Sequence, residues 1–154
     1  MDLRKFSYGA TSAVVTGMAL VTGLDAAKST RLTIIAGLLI FALADNLSDS
    51  LSIHIYQESE RLDGRAAFRA TLANFATRLG LSLSFVLIVA LAPTTIAVIV
   101  AIVWGNSILC GMTALLARER GAPVATEIAK HLALAAAVIA ASKGIGAWLL
   151  CVVG

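Results

Sequence analysis

The sequence predicts an all-α integral membrane bundle of five transmembrane helices with its amino terminus in the cytoplasm. Three observations carry that expectation. Of 154 residues, 59% are hydrophobic and only 14% charged. The mean hydropathy is +0.91. The apolar residues fall into five long runs broken by short turn signals. Soluble domains average roughly 45–50% apolar and roughly 25% charged residues, and one domain of this length has no core large enough to hide the excess. With 2 Pro, 12 Gly and 2 Cys, the chain is neither collagen-like, nor disordered, nor a disulfide scaffold. Its solvent is lipid, and residues 1–154 form a single transmembrane domain.

Crossing about 30 Å of hydrocarbon takes roughly 20 apolar helical residues, and a helix satisfies its own backbone there. The first span covers 8–26 and stops at the polar stretch 25–31. Its apolar core is too long for a cleaved signal peptide and lacks a small-x-small exit. The second covers 32–55 and runs into Gln57, Glu58 and Glu60 before the turn signal 62–65, Leu62-Asp63-Gly64-Arg65. The third, 67–91, ends at Ala92-Pro93-Thr94, and the fourth, 95–117, at 118–123 with Gly121 and Pro123. The fifth covers 132–153, with Ala133, Ala137 and Ala141 as a small-residue packing seam.

Lys and Arg set the orientation. Arg4, Lys5, Arg61, Arg65, Arg69, Arg118, Arg120 and Lys130 fall at the amino terminus and in the second and fourth connections, while Lys28 and Arg31 lie between the first two spans. The basic side is cytoplasmic, so an odd number of spans leaves the carboxyl terminus outside. Cys110 and Cys151 lie in apolar helix and act as small packing residues. The net charge of +3 gives no footing to a nucleic-acid partner. No phosphate loop, nucleophile elbow, Cys/His cluster or His-Glu-x-x-His occurs, so no enzyme is expected.

The informative residues are those that lipid excludes. Asp45 and Asp49 are four apart, about 40° round a helix, with Ser48, Ser52 and Tyr56 within about 60° of Asp45. That makes one stripe of hard oxygen ligands suited to divalent cations. An ionised carboxylate near mid-bilayer costs at least about 2.5–3.5 kcal/mol and normally faces a cavity or an ion path. Arg78 in the third span and Lys143 in the fifth offer the opposite reading, in which acids and bases pair inside the bundle and carry nothing. Thr11, Ser12 and Thr16 are candidate lining in the first span. His54 lies about 180° from Asp45 and pairs by spacing with Glu58, either as an exposed interfacial pair or with Glu58 gathering ions at the cytoplasmic mouth. Asn46-Leu47-Ser48 spells a glycosylation sequon inside a span and is read as coincidence. Asn106 and Ser107 are read as interhelical hydrogen-bonding groups.

With those residues in view, the sequence resembles the vacuolar iron transporter family, five-helix membrane proteins that move Fe²⁺ or Mn²⁺, often against protons. The first span, Gly9-Ala10-Thr11-Ser12 through Thr16-Gly17-Met18 to Thr22-Gly23-Leu24, is similar to the family's first helix. Ala44-Asp45 through Ser48-Asp49 and Leu51 resembles its second-helix acidic motif. By that resemblance Asp45 is a metal ligand and Met18 a soft contact. Ser12 stands where the family has an Asp, and Asp49 replaces a Met, which tilts the site toward harder ions such as Mn²⁺. The family's cytoplasmic metal-binding insertion has no counterpart between the second and third spans.

The resemblance implies a homodimer with its path between paired first and second helices. Asp45 and Asp49 of two copies would then surround one axis, and four like charges cannot all stay ionised there without a cation, which makes proton coupling natural. The expectation is a multi-pass transporter (of the plasma or inner membrane in a prokaryote) with no resident cofactor. Its ligands are Asp45 and Asp49, its lining is Ser48, Ser52, Ser12 and Thr16, and Met18 and Glu58 assist. The rival is a non-transporting scaffold whose buried charges only set helix register.

Overall fold

A computed structural model describes residues 3–59 and 64–153. It contains α1 (Leu3–Ala26), α2 (Arg31–Ser59), α3 (Gly64–Leu91), α4 (Thr94–Glu119) and α5 (Val124–Val153). All five are long and apolar enough to cross a membrane, and each expected span lies inside one of them. Of the expected turn signals, Leu62 and Asp63 lie outside the described residues.

The helices stop where local chemistry stops them. After Ala26 the chain closes a Schellman turn: Ser29 N donates to Leu24 O at 3.0 Å and Lys28 N to Asp25 O at 2.9 Å. Lys28 occupies the left-handed position at φ 56°, where glycine is the usual residue. The same turn recurs after α4, with Ala122 N on Ala117 O at 2.9 Å and Gly121 in the left-handed position. Thr30 caps α2, its Oγ1 accepting from Thr33 N at 3.2 Å. Arg31, just inside that helix, reaches across to the end of α3 and donates to Ala92 O at 2.7 Å. A cation on those last carbonyls complements the α3 dipole.

α1 is the central helix. It touches all four others, while α2 packs on α3 and α5 on α4. Half of its apolar stretch is buried, against 6% of that of α5. Val14, Met18 and Val21 of α1 join Ile34, Leu38, Phe85, Val89, Ala101, Leu109 and Ala135 in one core. The perimeter is as apolar as the centre: Ile40, Leu47, Leu51, Leu87, Ile99, Val103, Leu134 and Trp148 are exposed. A water-soluble fold does not tolerate such a surface; a bundle in lipid requires it.

α2 and α3 form an antiparallel hairpin whose contacts keep step from end to end. Arg31 meets Ala92, Asn46 meets Arg78, Asp49 meets Asn74, and Gln57 meets Thr71. His54 meets Phe68 edge to face at 6.3 Å. α1 sets the level of this hairpin, with Gly9 against Asn74 and Arg78 and Gly17 against Phe85. Met18 packs on Gly105 of α4. About thirteen residues onward α4 arrives at Arg118, just as α1 about thirteen residues back arrives at Lys5. These basic residues therefore gather at one end of the bundle. α3 extends about fourteen residues before Arg78 and α1 about six before Gly9, so the hairpin reaches about 12 Å beyond Leu3.

The α1–α5 seam corrects one expectation. Ala133, Ala137 and Ala141 are exposed. Ala135 and Gly146 are buried instead, and Ser142 sits against Gly23. α5 is rich in small residues all round, so spacing alone does not select the face that packs. At Gly146 the helices approach so closely that a Cβ would collide with the Gly23 carbonyl oxygen. Ser107 is a second correction: it bonds its own turn, at 2.7 Å to Val103 O. The bond that crosses helices here is Trp104 Nε1 to Ser84 Oγ, 2.9 Å.

Gly146→Ala is expected to cost about 1–3 kcal/mol, read as a lower melting temperature in detergent. Gly105→Ala, which meets only the flexible Met18 side chain, should cost less. Lys28→Gly should gain about 0.5–1 kcal/mol by relieving the left-handed strain. A Gly146→Ala protein as stable as the parent contradicts the close α1–α5 crossing.

Candidate functional site

The polar residues of α2 and α3 converge on Arg78. Asp45 and Asp49 leave α2 one turn apart on the same stripe, and Asn46 lies between that stripe and the helix interior. Asn74 and Arg78 leave α3 one turn apart toward them. Gly9 of α1 closes the third side: a Cβ there would collide with Asn74 Oδ1 and lie 3.0 Å from Arg78 Cδ.

The Arg78 side chain is only 2% exposed and its guanidinium is almost fully occupied. Nη2 meets Asp45 Oδ2 at 2.5 Å and Nη1 meets Asp49 Oδ2 at 3.1 Å. Nε donates to Asn46 Oδ1 at 2.9 Å, and Nη1 donates to the Gly9 carbonyl at 3.2 Å. Asn46 is itself fixed, its Nδ2 donating to Ala42 O at 2.6 Å. Asn74 Nδ2 donates to Asp49 Oδ2 at 3.3 Å. The carboxylates are not sealed: side-chain exposure is 45% for Asp45 and 28% for Asp49.

One guanidinium faces two carboxylates. An arginine stays charged in a protein, so the cluster with both acids ionised carries one surplus negative charge. Such an arrangement holds its residents tightly and retains a demand for one further positive charge.

Lys143 does not supply it. Its neighbour Ser142 packs on Gly23, about fourteen residues along α1 from the Gly9 that touches Arg78, or about 21 Å at helical rise. Gly9 is where the apolar stretch of α1 begins, about 6 Å along the helix from Lys5. The cluster thus lies near the Lys5 end of α1 and near the middle of the apolar runs 31–57 of α2 and 67–91 of α3. The α2 and α3 runs of 27 and 25 residues exceed the length needed to cross, and hydropathy cannot tell which part of them sits at the centre.

The remaining candidates scatter. Ser48 and Ser52 are on the exposed face of α2, where Ser52 Oγ bonds Ser48 O at 2.9 Å. Ser12 is exposed on α1. Thr16 lines a separate groove of about 320 Å³ between α1 and α5, with Leu20, Gly23, Ser142 and Gly146. Met18 is wholly buried in the apolar core, where its sulfur packs on Gly105. Glu58 is on the last turn of α2, and its side chain lies outside the described residues. Among the described residues, no three His, Cys, Asp or Glu side chains converge as a metal site within one chain.

Asn46, Asn74 and the Gly9 carbonyl were not singled out by the sequence reading. The signal for Asn74 was its spacing of four before Arg78, which puts both on one face. Asn46, fully buried, is a bundle residue, consistent with a coincidental sequon. No family model, no curated protein and no solved structure matches the chain.

Arg78→Met would leave two carboxylates together with no cation, and is expected to cost about 3–5 kcal/mol. Asn46→Ala, which strands the Nε proton, should cost about 1–3 kcal/mol. Thermal unfolding in detergent reads both; an Arg78→Met protein melting with the parent would show that the cluster does not hold the hairpin together.

Proposed function

We propose that this chain is a multi-pass membrane transporter of divalent cations of the Fe²⁺/Mn²⁺ class, with the metal as substrate and no resident cofactor. The observation that carries the reading is the pair Asp45 and Asp49 on a single buried arginine: two hard oxygen donors, partly open, one negative charge in excess. Carboxylates and hydroxyls favour cations of this hardness. The resemblance of the first two spans to the vacuolar iron transporters supports the same class. In this reading the basic end is cytoplasmic, and the cluster receives or releases the ion.

One chain offers two carboxylates, fewer than a divalent site commonly uses. A second copy placing its own α2 alongside would double them, so we propose a homodimer with the path at its interface. Arg78 then acts as the resident counter-charge that keeps the empty site from repelling itself.

A specific observation favours the rival. Asp45 and Asp49 both lie within 3.1 Å of a guanidinium, which suits a scaffold whose ion pairs only set register. Uptake of Mn²⁺ and Fe²⁺ into proteoliposomes separates the two. The transport reading expects flux that is reduced at least about tenfold, equivalent to about 1.4 kcal/mol, by Asp45→Asn with Asp49→Asn. A competition series with Mg²⁺ and Ca²⁺ then reads which hard cation this oxygen donor set prefers. No flux above that of empty liposomes, or undiminished flux in the double variant, supports the scaffold.

A further inference from the structure

The two carboxylates are not equivalent. Of the four groups around the Arg78 guanidinium, three belong to fixed structure. The Gly9 carbonyl is helix main chain. Asn46 is wholly buried and tied to Ala42 O at 2.6 Å. Asp49 is held from a second side, its Oδ2 also accepting from Asn74 Nδ2 at 3.3 Å, and Asn74 is 7% exposed. Asp45 is held by Arg78 alone among the described residues, and its side chain is the most open of the set, at 45%.

We infer that Asp49 is the permanent counter-charge of Arg78 and that Asp45 is the single exchangeable carboxylate, trading its guanidinium contact for a divalent cation. Removing Asp45 leaves Arg78 ion-paired with Asp49 at 3.1 Å and hydrogen-bonded to Asn46 and Gly9, a neutral and nearly complete seat. Removing Asp49 instead orphans Asn74 and leaves Arg78 dependent on its most exposed neighbour. The asymmetry rests on the hydrogen bonds; the identity of the exchanging cation rests on the transport reading.

Dicyclohexylcarbodiimide, which attaches to exchangeable carboxyl groups in apolar surroundings, tests this on the full chain in liposomes, with labelled positions mapped by mass spectrometry. Asp45 is expected to take up several-fold more label than Asp49, and millimolar Mn²⁺ to suppress it. Asp45→Asn is expected to keep the parental melting temperature within a few degrees, and Asp49→Asn to lower it clearly. Equal labelling of both, labelling of Asp49 first, or labelling of neither overturns the division of roles. Label on Asp45 that Mn²⁺ leaves unchanged upholds the division and overturns the metal as its exchanging partner.

Discussion

A guanidinium keeps its charge inside a protein, so a buried arginine obliges the helices around it to deliver oxygen. Arg78 is such a residue, and three helices answer it. α2 supplies Asp45, Asp49 and Asn46, α1 its Gly9 carbonyl, and α3 steadies Asp49 through Asn74. Apolar helix packing in lipid is permissive about sliding, because lipid tails are as apolar as leucine. A set of directional bonds at one level removes that freedom. The hairpin's other contacts, from Arg31 on Ala92 to Thr71 on Gln57, then fall into step with it.

The same cluster ties structure to chemistry. A fully balanced ion pair would be inert, and an unbalanced pair of acids would repel itself. Two acids on one arginine lie between these limits: the guanidinium offsets one carboxylate and leaves one surplus negative charge. The cluster ties α1 to the hairpin at the level of Gly9. The small-residue approach of α5 to α1 at Gly146 and Gly23 braces the opposite end.

Much of this was legible in the residues. Five apolar runs with Gly, Pro and charged turns between them correspond to α1–α5, since length and hydropathy suffice to identify membrane helices. The spacing of four between Asp45 and Asp49 put them on one stripe, and both do meet the same cation; Arg78 was named as one of two candidate bases. Periodicity gives an angle around a helix but not the neighbour that covers it. Thr16 therefore looked like lining, yet it faces the α5 groove, and Met18, a soft contact by resemblance, fills the core. Depth was hidden for a related reason: only the tertiary contacts of Gly9 and Gly23 show that Arg78 and Lys143 sit at different levels. Asn46 was read only as part of a chance sequon and Asn74 was passed over, because their importance comes from what they hold, not from their own chemistry.

The most direct test of the central claim is a pair of double-mutant cycles on unfolding in detergent micelles, Arg78→Met crossed with Asp49→Leu and with Asp45→Leu. A guanidinium seated permanently on Asp49 gives a coupling energy above about 1 kcal/mol for that pair, within the range for residues in direct contact, and a clearly smaller one for Asp45. Additive effects in both cycles would contradict the account, for they would mean that Arg78 does not organise the helices around it.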